Sequence, residues 1–123
     1  MHKILVIEDN IAVRNALAEI LESAGYQVVT AEDGQRGLDV FRAERPDLVI
    51  TDIVMPEKEG IETIREIRNE CPNAKIIAIS GGGRTGNTDY LKVARRLGAS
   101  DAIAKPLDPD HLIAVVQQRL AAA

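Results

Sequence analysis

The sequence predicts an α/β fold: a doubly wound, five-stranded parallel sheet of order 2-1-3-4-5, a (βα)5 chain with helices on both faces. Three observations carry this. Five short runs, Ile4–Ile7, Gln27–Ala31, Leu48–Thr51, Ile76–Ile79 and Ala102–Ala104, recur through the 123 residues. Four of them are nearly continuous in apolar character, which marks strands buried on both faces. The segments between them have helical periodicity, so strand and helix alternate and each crossover should be right-handed. For a chain of this length the 2-1-3-4-5 order is the natural closure.

The elements follow in order. After the first strand, Asn10 can cap a helix whose apolar stripe is Leu17, Ile20, Leu21 and Ala24, and Gly25 can end it in a left-handed turn. After the second strand, Asp33 caps a helix from about Gly34 to Ala43 that buries Leu38 and Phe41. Ile61, Ile64 and Ile67, with Arg68 on the flank, mark a helix after the third strand. Tyr90, Val93, Ala94 and Leu97, closed by Gly98, mark one after the fourth. Leu112, Val115, Val116 and Leu120 mark the last, with Pro109 in its first turn. Residues Ala121–Ala123 read as frayed helix or as the cut edge of a larger protein. No linker or low-complexity tract divides the sequence.

Composition narrows the function. Hydrophobic residues make up 46% and charged residues 28%, an ordinary globular balance. Aromatics are only 2%, so the core must be aliphatic. A net charge of −4 and a pI near 5.2 argue against nucleic acid, which needs a basic face. The lone Cys71 excludes an internal disulfide and a multi-cysteine zinc site, and reads as structural. No apolar run approaches the roughly 20 residues of a membrane helix, and MHKILVIEDN is too short and acidic for a signal peptide. The expected address is cytoplasmic, with no membrane contact.

The chemistry lies at the strand ends. In such sheets ligands bind at the carboxyl ends of the strands, at the switch point between strands one and three. Glu8 and Asp9 leave the first strand there, beside Asp52 at the end of the third. Three carboxylates in one crevice repel, and a hard divalent cation resolves the repulsion. An oxygen-lined, partly hydrated site suits Mg²⁺. Asp9 and Asp52 are its expected direct ligands, Glu8 acts through a metal-bound water, and the Val54 carbonyl supplies a further oxygen. Strands four and five bring Ser80 and Lys105 toward the same crevice, a hydroxyl and an ammonium suited to clamp a tetrahedral anion. Asp52 is the carboxylate placed to touch both metal and anion, and so is the candidate nucleophile for an aspartyl-phosphate.

These residues resemble a family. ILVIED with Glu8 and Asp9, VITDIVMPEKEG with Asp52, Pro56 and Gly60, IIAIS with Ser80, and AIAKP with Lys105 are together similar to the response-regulator receiver domain. The resemblance spans residues 1–123 and is nearest to single-domain chemotaxis regulators, with a flavodoxin-like fold. It implies that Asp52 takes a phosphoryl group from a histidine kinase or a phosphotransfer protein, with Mg²⁺, and so switches binding of a downstream protein. It implies that Ser80 shifts to hydrogen-bond that group, that Lys105 pairs with it, and that the Lys105–Pro106 bond is cis. It implies a signalling domain that catalyses only its own phosphorylation and dephosphorylation.

The sequence also departs from the family. Ala102 stands where receivers usually carry Tyr or Phe, and Leu107 where many carry Phe. The usual aromatic relay is thus missing, and readout is expected through Gly81–Leu97 instead. Gly81-Gly-Gly-Arg-Thr-Gly86 lacks the Gly-Lys-Ser/Thr ending of a nucleotide loop and reads as a loop that lets Ser80 move; Arg84 is a lesser candidate for the phosphoryl group. His2, His111, Lys92 and Arg95-Arg96 read as surface residues.

Three other readings compete. A phosphorelay intermediate would pass the group from Asp52 to another protein's histidine, and Ala102 leans that way. A Mg²⁺-dependent phosphatase with an aspartate nucleophile would usually need a second acid two residues on, where this chain has Val54. A flavin module would need a phosphate-cradling loop after strand one, where acids stand instead.

Overall fold

The computed structural model describes residues 1–53, 60–80, 96, 99–104 and 107–121, the side chains of Ile61, Ser80 and Ala104 excepted. Five strands run β1 (Lys3–Ile7), β2 (Gln27–Ala31), β3 (Leu48–Asp52), β4 (Ile76–Ser80) and β5 (Asp101–Ala104). They form one parallel sheet in the order β2-β1-β3-β4-β5. The described helices are α1 (Ile11–Ser23), α2 (Gly34–Glu44), α3 (Gly60–Glu70) and α4 (Pro109–Ala121). The expected helix around Tyr90–Leu97, the loop Gly81–Gly86 and the Lys105–Pro106 bond lie outside the described residues.

Continuous apolar character becomes two cores, one on each face of the sheet. Leu5, Ile7, Val49, Ile53 and Ile76 pack with Leu38 and Phe41 of α2 and Ile64 and Ile67 of α3. Ile4, Val6, Leu48, Ile50, Ile77 and Ile79 pack with Leu17 and Leu21 of α1 and Leu112 and Val116 of α4. β3 is buried at every position. Each such aliphatic side chain contributes roughly 1.5–3 kcal/mol by leaving water, which holds the strand ends in fixed register.

Helix ends follow local chemistry. The Asn10 side chain accepts from Val13 N–H at 3.1 Å, and Asp33 accepts from Arg36 N–H at 2.8 Å. Gly25 turns the chain at φ +96° after α1, a conformation that costs glycine little. α2 ends differently: Arg45, not glycine, takes the left-handed conformation at φ +50°, and Pro46 follows. The α1 stripe is narrower than its spacing suggests. Leu17 and Leu21 are buried, Ile20 is half-buried, and Ala24 is an exposed cap residue. No described helix is long and apolar enough to cross a membrane.

Candidate functional site

The register sets the site. Ile7 lies opposite Thr51, so Glu8 leaves β1 level with Asp52, the last residue of β3. The Glu8 N–H continues the ladder on the other side, donating to the Ala31 carbonyl of β2 at 3.0 Å. Beyond Asp52, the Ile53 N–H donates to the Ile79 carbonyl of β4 at 3.0 Å. The carboxyl ends of β1, β3 and β4 therefore meet in one place.

There Glu8, Asp9 and Asp52 each offer a carboxylate oxygen, and these oxygens lie within 4.8 Å of one another. Glu8 is fully buried, Asp52 is 5% exposed, and Asp9 faces solvent. Asn10 N–H donates to Glu8 Oε2 at 3.2 Å and Arg14 Nη1 to the Glu8 carbonyl at 3.0 Å. Arg14 had no role in the sequence reading. Its signal was faint: a cation in the first turn of a helix, one turn beyond an acidic strand exit. Two like charges at such a separation repel by roughly 3 kcal/mol at an effective dielectric of about 20. A buried carboxylate with two carboxylate neighbours is a donor set that a hard, oxygen-preferring divalent cation fits. The cluster can hold Mg²⁺.

The other expected residues divide. Ser80 ends β4 in register with Ala104, the last residue of β5, so these two strands finish level at the same edge of the sheet. The Ser80 side chain, Val54 and Lys105 lie outside the described residues. Ala102 is half-buried opposite Ala78 of β4, and Leu107 is half-buried against the α1–α4 core. His2 and His111 are exposed, as expected.

Glycine also shapes the site. Gly60 opens α3 and donates its N–H to the Ile53 carbonyl at 3.0 Å. A β-carbon there would stand 2.7 Å from the Asp52 carbonyl carbon, so only glycine fits the approach. In the sequence Gly60 belongs to the motif after Asp52; the contact itself arises only on packing.

Comparison with known proteins gives a consistent picture. The profile of the response regulator receiver domain matches residues 4–117. Sporulation initiation phosphotransferase F of Bacillus subtilis is 33% identical over 118 residues, covering 96% of this chain and 93% of that protein. The chemotaxis protein CheY of Thermotoga maritima is 36% identical over 112 residues, covering 90% and 91%. Among solved structures, the receiver domain of NtrX from Brucella abortus superposes with a TM-score of 0.91 at 33% identity, covering 98% of this chain and 99% of that one. Some relatives are longer: the chain spans 48% of ycf27 of Cyanophora paradoxa, named a probable transcriptional regulator.

Proposed function

The chain belongs to the response regulator receiver domain family, and on that footing we propose that Asp52 accepts a phosphoryl group from a phosphohistidine. The donor is a sensor histidine kinase or a phosphotransfer protein, and the modified chain changes its affinity for a downstream protein. The observation that carries this is the convergence of Asp52 with Glu8 and Asp9 at one strand edge. An Asp52 carboxylate oxygen attacks phosphorus, a P–O bond forms, the P–N bond to the donor imidazole breaks, and the imidazole leaves with the bonding pair. Asp9 and Asp52 would hold Mg²⁺ directly, Glu8 would hold it through a water, and the Val54 carbonyl would complete the protein oxygens. When bound there, the ion would supply charge neutralisation between the carboxylates and the incoming phosphoryl oxygens. Ser80 hydrogen-bonds the transferred group and Lys105 pairs with it. The whole of residues 1–123 acts as one receiver domain, working in the cytoplasm.

A second reading is a relay that passes the group on from Asp52 to another histidine. Ala102 favours it: a methyl group at this half-buried position of β5 cannot make the inward swing of a ring. The phosphotransferase name of the Bacillus relative points the same way.

The test is intact-mass measurement after incubation with Mg²⁺ and a small phosphodonor. One added phosphoryl group per chain, and none when Mg²⁺ is chelated before the donor is added, supports the proposal. Multiple-turnover release of phosphate from small esters would overturn it in favour of a phosphatase. Transfer of the label from the chain to a histidine phosphotransfer protein separates the relay from the terminal switch.

A further inference from the structure

We propose that the open edge of β2 is a self-complementary surface that pairs with β2 of a second copy of this chain. Main-chain hydrogen bonding defines the edge. Gln27 N–H donates to the His2 carbonyl at 2.9 Å, and the Ala31 carbonyl accepts from Glu8. Residues facing a neighbouring strand alternate along a parallel ladder. Gln27, Val29 and Ala31 therefore turn their backbone groups to β1, and Val28 and Thr30 turn theirs outward. Among the described residues β2 pairs with β1 alone.

The edge lacks the usual guards. Strand edges are commonly blunted by proline, lysine, an inward charge or a bulge. β2 reads Gln-Val-Val-Thr-Ala, with none of these and full register along β1. The opposite edge differs: β5 opens with Asp101, held in an ion pair by Arg119 of α4.

Geometry and charge select a second copy as the occupant. A two-fold axis at Val29 sets Val28 against the partner's Thr30, and Thr30 against the partner's Val28. Both pairs then exchange N–H···O bonds in an isologous contact. Val29 meets its own symmetry mate on the face that packs with Val40 of α2. Beside the strand, β2 and α2 line a groove of about 620 Å³ that includes Arg36, Val40 and Glu44. Arg36 lies in the first turn of α2, near the end of β2. Glu44 lies at the far end, bonded at 2.9 Å to Lys3, which is level with Gln27. The same axis brings Arg36 toward the partner's Glu44 and Glu44 toward the partner's Arg36, and sets Val40 near Val40. Asp39, also at the groove, accepts from Gln35 at 3.4 Å and stands one turn from Arg36, which offsets its charge.

Sedimentation velocity across a concentration series tests this. The wild-type chain should form a reversible dimer. Thr30→Pro removes an N–H that its own sheet does not use, and should give monomer with unchanged far-ultraviolet circular dichroism. Arg36→Glu should weaken the dimer at least tenfold, and Arg36→Glu with Glu44→Arg should restore it. In a Cys71→Ser background, Val29→Cys should oxidise to a covalent dimer across the axis. A wild-type chain that stays monomeric at every concentration overturns the proposal. So does a dimer that neither Thr30→Pro nor Arg36→Glu weakens, or a Val29→Cys variant that never cross-links.

Discussion

Gly60 lies against the main chain of Asp52: a β-carbon at 60 would stand 2.7 Å from the Asp52 carbonyl carbon and 2.5 Å from the Ile53 Cα. The start of α3 therefore presses on the strand exit that carries the proposed acceptor. Replacing a helical glycine by alanine usually stabilises by about 1 kcal/mol. Here Gly60→Ala should do the opposite, because backbone cannot give way as a flexible side chain can. The expected loss is about 1–3 kcal/mol, the range for overpacking. Chemical denaturation checks the sign, and phosphorylation of Asp52 should slow in the same variant.

With Glu8, Asp9 and Asp52 as its proposed site, Mg²⁺ should act as a folding ligand. An ion that binds only the folded chain stabilises it by RT ln(1 + [Mg²⁺]/Kd), about 2.7 kcal/mol at a hundredfold excess over Kd. The wild-type melting temperature should rise with added Mg²⁺ and fall back on chelation. Asp9→Asn should weaken Mg²⁺ binding about tenfold or more, equivalent to roughly 1.4 kcal/mol. Without metal, the same variant should melt no lower than wild type, since one member of a repelling cluster is neutral. Asp9 faces solvent, so its loss opens no cavity. Titration calorimetry and thermal melts read the two halves.

Asp33 provides a control that is not part of the acidic cluster. Its carboxylate accepts from Arg36 N–H at 2.8 Å and caps α2. Asp33→Ala should cost about 1 kcal/mol of stability and lower the melting temperature by about 4 °C. Mg²⁺ affinity should stay at the wild-type value.

The fold was legible because burial on two faces leaves a plain trace. Val49 and Ile50 fall on opposite sides of β3, yet both are buried, so the run shows no alternation. Boundaries moved where polar residues end strands: Lys3, Asp52, Ser80 and Asp101 extend their ladders beyond the apolar runs. Asn10, Asp33 and Gly25 were readable because capping and left-handed turns depend on local residue type. Arg45 was not, since a left-handed arginine at the end of α2 is set by the path into Pro46 and β3. The acidic cluster was legible from strand order alone. The complete burial of Glu8, the hold of Arg14 on its carbonyl and the approach of Gly60 to Asp52 were not, because each depends on how strand exits and helix starts pack in three dimensions and not on residue type alone.

Asp52 is the proposed site of phosphorylation. Incubating wild type and Asp52→Asn with Mg²⁺ and the same small phosphodonor, then measuring intact mass and mapping the modified peptide, tests it most directly. One phosphoryl group is expected on wild type, located at Asp52, and none on the variant. A stable phosphoprotein in Asp52→Asn at the wild-type level would contradict it.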